Sequence, residues 1–305
     1  MSKYLSYDIH GLVKVRTNIN CLPNYFLVPN SHLGRPDIEF YLCNSKIDTS
    51  QLTPLGARFF YNRDTFVYKL LFFLNMQLVV KETDEKKVIE FNRLYGLYRK
   101  PVRQFFAFLQ MKLLDKGFSF IHSACIAKNG KGILFPAHSD TGKTTTTLHF
   151  IKSGYHTLGD DIVITDGEKI LSYPSTIMKI WMPFKKIPIL RRLEKKETVI
   201  GPLEKEVIPE KMFFLLNGEK DELRKANKKE LCRKISLIME QVAPLLPFPS
   251  DVMLGYYFVR NIRMEEYFKK REEILSKLVN KCETWLVLTK KSTMFYDLVK
   301  EIILN

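Results

Sequence analysis

The sequence predicts an α/β fold, in which a P-loop core with a twisted mixed β-sheet and flanking helices follows a smaller α+β N-terminal region. Three observations lead to it. Residues 1–117 contain short β-type runs separated by Asn, Pro and Gly, and then a helical pattern. Residues 118–305 contain apolar runs that alternate with amphipathic helical patterns. Between one run and one helical pattern lies a phosphate-binding loop motif, which requires a strand before it and a helix after it. We therefore predict two domains, 1–117 and 118–305.

The N-terminal region is predicted to begin with strands and to end with helices. Its β-type runs lie at residues 12–15, 25–28 and 38–42. From about Glu82 to Leu114 the apolar spacing becomes helical, and Pro101 divides this pattern into two helices. We interpret the many aromatic side chains of this stretch as packing residues.

The loop motif comprises residues 137–144, with alanine in place of the usual first glycine. Gly142 lets backbone N–H groups turn toward a phosphate. Lys143 brings a mobile positive charge to the terminal phosphates, and the hydroxyl of Thr144 can ligate Mg²⁺. A helix that starts at Lys143 adds the positive end of its dipole. The predicted nucleotide-binding residues are Ala137, His138, Ser139, Asp140, Thr141, Gly142, Lys143, Thr144 and Thr145.

Two adjacent carboxylates, Asp160 and Asp161, follow an apolar run at a point where a strand would end or bend. Successive strand side chains face opposite ways, so the two acids are predicted to have different roles. One could hold Mg²⁺, directly or through water, while the other accepts a proton from an attacking hydroxyl.

The remaining elements of the second domain are predicted from turns and periodicity. One hairpin joins residues 120–127 to 132–136 through Asn129-Gly130, and another joins 162–165 to 170–173 through Asp166-Gly167. An apolar run at 212–216 and a strand at 285–288 complete the sheet. Amphipathic helices are predicted at 227–242, 264–281 and 296–304, and three prolines at 244, 247 and 249 break the chain between the first two.

These residues resemble a known family. The segments 121–124, 128–131, the loop and 158–161 occur in the order found in HPr kinase/phosphorylase-like proteins, which share a P-loop core with the ATP-dependent phosphoenolpyruvate carboxykinases. The resemblance covers about residues 118–175. It implies that Lys143 contacts the β/γ-phosphates, that Thr144 contacts the metal and that Asp160 is the catalytic base. It further implies that Asp161 is the neighbour that holds metal or water, and that His122 lies near the phosphate site.

The expected function is therefore a kinase that transfers the γ-phosphoryl group of ATP or another purine nucleotide, with Mg²⁺, to a hydroxyl acceptor. The acceptor is a small metabolite or a protein serine. Two alternatives stay open: a nucleic-acid kinase that uses a basic surface, and a nucleotide-binding sensor without chemistry.

Charge and composition limit the partners. The chain has 48 Lys and Arg against 33 Asp and Glu, and its net charge of +15 favours anionic partners, nucleic acid among them. Five scattered cysteines, the absence of a long uninterrupted apolar run and the lack of a signal peptide predict a cytoplasmic protein without a membrane span. A second copy of the chain is one of the possible partners. A basic cluster near aromatic residues is either a solvated face, a nucleic-acid surface or a mobile segment that attracts an anionic acceptor; it contains Lys185, Lys186, Arg191, Arg192, Lys195 and Lys196.

Overall fold

The structure is a computed structural model that describes residues 4–44, 46–70, 76–83, 85–174, 202–248, 250–290 and 295–304. The chain forms two compact units. The first combines Met1–Ser119 with Glu240–Glu272, and the second combines Phe120–Met239 with Glu273–Asn305. Both units are mixed α/β, and each contains a mixed sheet.

Eight α-helices occur in the described residues, together with a short 3-10 helix at Asn24–Phe26. None of the helices within these ranges is long and apolar enough to cross a membrane. The α-helices are α1 (Asn30–Leu33), α2 (Arg93–Arg99), α3 (Pro101–Asp115), α4 (Lys143–Lys152), α5 (Lys228–Met239), α6 (Asp251–Val259), α7 (Met264–Lys281) and α8 (Phe295–Leu304).

The first unit is built on a nine-stranded sheet with the order β3-β1-β2-β4-β9-β8-β7-β6-β5. The strand β4 is parallel to β2 and to β9, and the other neighbouring pairs are antiparallel. The strands are β1 (Leu5–Ile9), β2 (Val13–Thr17), β3 (Leu27–Val28), β4 (Ile38–Leu42), β5 (Thr53–Pro54), β6 (Phe59–Tyr61), β7 (Thr65–Lys69), β8 (Gln77–Glu82) and β9 (Lys87–Phe91).

The predicted helical pattern from Glu82 onward is wrong for its first part, because residues 87–91 form strand β9. Burial alternates along this strand, so its side chains follow a period of two rather than 3.6. The helical part begins at Asn92, whose side chain accepts a hydrogen bond from the Tyr95 N–H at 3.0 Å. The predicted break near Pro101 is confirmed, since Lys100 adopts a left-handed conformation between α2 and α3.

The segment 240–272 belongs to the first unit, although the sequence placed it in the second domain. Two side chains of helix α6 explain the difference. The hydroxyl of Tyr68 donates to Asp251 at 2.9 Å, and the hydroxyl of Tyr256 donates to Glu82 at 2.8 Å. The sequence did not predict α6, because the prolines before it suggested irregular chain.

The second unit contains a further nine-stranded sheet. Strands β12, β16 and β18 run parallel in its centre, and β11 lies antiparallel to both β12 and β13. The strands are β10 (Ser119–Ile121), β11 (Ser123–Lys128), β12 (Lys131–Pro136), β13 (His156–Gly159), β14 (Val163–Thr165), β15 (Ile170–Leu171), β16 (Glu206–Asn217), β17 (Glu222–Lys225) and β18 (Glu283–Thr289).

Both predicted hairpins of this unit are confirmed as antiparallel pairs, β11 with β12 and β14 with β15. The predicted single strand 120–127 is divided at His122, because β10 pairs with β14 whereas β11 pairs with β12. The helices predicted at 227–242, 264–281 and 296–304 correspond to α5, α7 and α8.

The sheet of the second unit is buried on both faces, which explains the continuous apolar runs of its central strands. One face packs against α5 and α7 through residues such as Ile235 and Leu278. The opposite face packs against α4 and α8 through Phe150 and Val299. The result is a rigid three-layer support whose strand ends can hold a site.

Candidate nucleotide-binding site

Three predicted site segments meet at one edge of the second unit's sheet. The loop follows β12, the acid pair follows β13, and His122 precedes β11. Because β11 is antiparallel to both neighbours, β12 and β13 run in the same direction and end at the edge where β11 begins. In α/β proteins this carboxyl edge of the strands is where ligands bind.

The loop itself has the strand–loop–helix form that the motif requires. Helix α4 begins at Lys143, as predicted, directly after Gly142, whose φ is 119°. Asp140 also adopts a positive φ, of 64°. Residues of this kind turn successive backbone N–H groups to one side of a loop, which creates an anion-binding concavity.

Lys143 is buried, with a side chain that is 5% exposed. Its ammonium group donates to the carbonyl oxygens of Ala137 at 2.9 Å and His138 at 3.0 Å. It also lies 3.0 Å from His122 Nε2 and 3.9 Å from Asp161 Oδ1. Burial lowers the pKa of Lys143, and the nearby carboxylates oppose that effect. The sequence predicted a mobile positive charge, whereas the side chain is held at the base of the loop.

His122 joins the lysine to one of the two acids. Its buried ring places Nδ1 3.2 Å from the carbonyl oxygen of Ile238, which can only accept, so Nδ1 carries a proton. The other nitrogen, Nε2, lies 3.0 Å from Asp161 Oδ1 as well as 3.0 Å from Lys143 Nζ. A neutral ring accepts from Lys143, and a protonated ring donates to Asp161. Nε2 therefore cannot form a hydrogen bond with both partners at once.

Asp160 has different partners from Asp161 and is almost completely buried, at 8% exposure. The hydroxyl of Thr144 donates to its Oδ2 at 2.9 Å, while Oδ1 is buried without a hydrogen-bond partner. Burial raises the pKa of Asp160 to about 6, against the opposing effect of the Thr144 hydrogen bond. A carboxylate in this setting is well placed to receive a cation.

Asp161 has a different environment, with a side chain that is 48% exposed. Partial burial acts to raise the pKa of Asp161, but the hydrogen bond from His122 and the charges of His122 and Lys143 outweigh it and lower the pKa. The two acids thus differ in exposure, partners and acidity.

Gly159 makes the turn into the acid pair possible. A Cβ atom at this position would lie 2.9 Å from the carbonyl oxygen of Tyr173 and still closer to that of Ile162. Any larger residue would displace the backbone that carries Asp160 and Asp161. The sequence alone does not reveal why a glycine is required at position 159. It also does not reveal that the backbone carbonyl of Ile238 accepts a hydrogen bond from His122.

The residues present fit a Mg²⁺ ion at Thr144 and Asp160. Hydroxyl and carboxylate oxygens are the donors that this ion prefers, and Oδ1 of Asp160 is a buried acceptor in need of a partner. The predicted metal pair was Thr144 with Asp161, whereas the structure brings Thr144 to Asp160. The described ranges contain no group of three or more His, Cys, Asp or Glu side chains that could hold a metal.

The other residues predicted to belong to the site either lie in the loop and the start of α4 or fall outside the described residues. Ser139 and Asp140 are exposed, Thr141 is buried, and Thr145 lies in the first turn of α4. The basic cluster at 185–196 lies outside the described residues.

In comparisons with known proteins, no family model matches this chain, and no curated protein is significantly similar to it in sequence.

Proposed function

We propose that the protein is a Mg²⁺-dependent kinase that transfers the γ-phosphoryl group of ATP or another purine nucleotide to a hydroxyl group on a small metabolite or a protein serine. One observation carries the proposal. At one edge of the sheet a P-loop lysine and threonine lie in contact with two carboxylates of different exposure and acidity. Nucleotide, metal and acceptor each have a matching group there.

The loop would bind the phosphates through its backbone N–H groups and Lys143. The ammonium group is held at present by two neutral carbonyl oxygens, at 2.9 and 3.0 Å. Phosphate oxygens carry charge and form stronger hydrogen bonds with an ammonium group than carbonyl oxygens do. Lys143 would therefore exchange these partners for the β- and γ-phosphates of a bound nucleotide.

Thr144 and Asp160 would hold the metal, together with phosphate oxygens of the nucleotide. Bound Mg²⁺ supplies neutralisation of the charge that develops on the transferred group. Asp160 has one carboxylate oxygen without a hydrogen-bond partner and is almost completely buried, so an incoming acceptor would not meet it.

Asp161 would receive the proton of the acceptor hydroxyl. It is the exposed member of the pair, and its Oδ1 lies 3.0 Å from His122 Nε2. This assignment gives the base role to Asp161 and the metal role to Asp160, which reverses the roles that the family resemblance implies. The reason is the hydrogen bond between Thr144 and Asp160 together with the burial of Asp160.

An RNA hydroxyl is the second candidate acceptor, favoured by the net charge of +15. A protein that binds RNA through phosphate contacts loses affinity steeply as salt rises. A steep loss of RNA affinity between low and moderate salt, together with specificity for one RNA, would support this candidate over a metabolite or a protein serine.

The test is incubation with γ-labelled ATP or GTP and a cell extract separated into metabolite, protein and RNA fractions. We expect label to enter the metabolite or protein fraction with the parent protein and to stay in the nucleotide with Lys143→Met. Label in the RNA fraction would select the second candidate. Bound nucleotide that remains intact with every fraction would instead indicate a sensor and contradict the kinase proposal.

A further inference from the structure

Asp140 is an unusual residue for a phosphate-binding loop. It lies in the exposed part of the loop with φ of 64°, in the left-handed region that glycine occupies without strain. Asparagine and aspartate tolerate this conformation better than other side chains do. The backbone requirement alone would therefore be met by Gly or Asn, neither of which adds a negative charge.

The charge of Asp140 lies where an anionic ligand would bind. The loop ends at the N-terminus of α4, whose unpaired N–H groups attract anions, and the lysine of the first turn adds a positive charge. Asp140 lies in the loop two residues before Gly142, the residue that caps α4, and three residues before that lysine. The carboxylate of Asp140 must then repel a polyphosphate held by the loop.

Resting on the proposed function, we infer that Asp140 makes the loop selective for the metal complex of the nucleotide over the free nucleotide. A free nucleoside triphosphate brings its full negative charge beside the carboxylate. The Mg²⁺ complex carries two fewer negative charges, so the repulsion is smaller. Asp140 in this way couples nucleotide binding to the presence of the metal that Thr144 and Asp160 would hold.

The experiment compares Kd values for ATP and for GTP, each measured by calorimetry with excess Mg²⁺ and with EDTA. Asp140→Asn removes the charge and keeps a residue that tolerates positive φ. We expect it to bind the metal-free nucleotide about fivefold more tightly than the parent protein does, as one nearby, partly screened charge suggests. Affinity for the Mg²⁺ complex should change by only about twofold, because halving the charge of the ligand halves the repulsion energy.

Two further variants separate charge from other effects. Glu210→Gln removes one negative charge from the opposite edge of the same sheet, where Glu210 pairs with Lys131 at the start of β12, and it should bind like the parent. Asp140→Gly removes charge and backbone strain together. Equal metal-free tightening in the Asn and Gly variants supports the inference, whereas tightening in Gly alone would overturn it.

Failure of the inference and failure of the proposed function give different results. If the parent binds nucleotide but Asp140→Asn leaves the ratio of metal-free to Mg²⁺ affinity unchanged, the selectivity role of Asp140 is wrong and the kinase proposal stands. If the parent binds neither ATP nor GTP under either condition, the proposed function is wrong and the inference falls with it.

Discussion

Among the residues that the structure describes, each unit buries one lysine, and the two lysines are compensated very differently. In the first unit, Lys87 is 8% exposed and lies 2.8 Å from a carboxylate oxygen of Glu82. Its ammonium group is also hydrogen-bonded to the hydroxyl of Tyr256 and lies over the rings of Phe108 and Tyr256, at 5.0 and 4.8 Å. Burial lowers the pKa of Lys87, and Glu82 opposes that effect. This ammonium group has a counter-ion of its own.

Lys143 in the second unit is equally buried, but its direct hydrogen-bond partners are two carbonyl oxygens and an imidazole. The nearest carboxylate oxygen described around it, on Asp161, is 3.9 Å away and belongs to a half-exposed side chain. Removing a cation from water is costly unless a close anion compensates it. Lys87 is therefore a structural cation, whereas Lys143 is a cation that gains by receiving an anionic ligand.

The largest effect that sharpens this comparison is expected for Lys143→Met. The substitution removes the charge and keeps an unbranched side chain of similar length. Turnover should fall about 10³-fold, the upper range for loss of one group that stabilises developing charge. The fold should persist, because replacing a poorly compensated buried charge by an apolar side chain is often neutral or stabilising. Steady-state kinetics together with urea unfolding measure both effects.

The next effect concerns the acid beside Lys143. Asp161→Asn should lower kcat about 10²-fold, as expected for loss of a group that accepts a proton. Nucleotide affinity should change little, because Asp161 faces the acceptor side. Asp160→Asn should instead raise the Mg²⁺ concentration needed for half-maximal rate. Kinetics at varied Mg²⁺ separate the two variants, and the opposite pattern would return the base role to Asp160.

Lys87→Met should act on stability rather than on turnover. It leaves Glu82 without its closest cation, although Arg260 remains 3.4 Å away and Glu82 is partly exposed. We expect the free energy of unfolding to drop by about 2 kcal/mol, below the range for a fully buried pair that loses one partner. Urea unfolding provides the measurement. A Lys87→Met protein as stable as the parent would contradict the structural role.

The smallest effect is a stability gain from Asp160→Asn in the nucleotide-free protein. The pKa of Asp160 is about 6 in the folded protein, above its ordinary value near 4 in an unfolded chain. The folded state therefore keeps this proton up to a higher pH than the unfolded chain does. The contribution of Asp160 to the free energy of unfolding is lost as the pH rises from about 4 through 6. The variant should be about 1 kcal/mol more stable than the parent at pH 8 and no more stable at pH 4, by urea unfolding. A variant that is less stable than the parent at pH 8 would show that ionised Asp160 does not destabilise the folded protein.

Local signals in the sequence predicted much of the second unit, because its turns and periodic patterns act over short stretches. Asn129-Gly130 and Asp166-Gly167 define two hairpins, and the helix starts at Lys143 as the loop motif requires. The contact of Thr144 with Asp160 could not be predicted this way. Both acids follow the same strand, and only the backbone course after Gly159 determines which one faces the loop.

Long-range packing explains what the sequence did not reveal in the first unit. Residues 87–91 contain apolar and charged side chains that fit a helical or a strand pattern, and pairing with β4 and β8 decides in favour of the strand. The buried Lys87 would be interpreted from the sequence as a surface residue. Its partner Tyr256 lies far along the chain, so no local pattern connects the two.

The most direct test of the difference between the two lysines is a calorimetric titration with MgATP and with MgGTP. Three proteins are compared: the parent, Lys143→Met and Lys87→Met. We predict that the parent and Lys87→Met bind one of these nucleotides with the same Kd, and that Lys143→Met binds it at least about 100-fold more weakly. Equal binding by all three proteins, or no binding by the parent, would contradict the account of Lys143 as a cation that awaits a nucleotide.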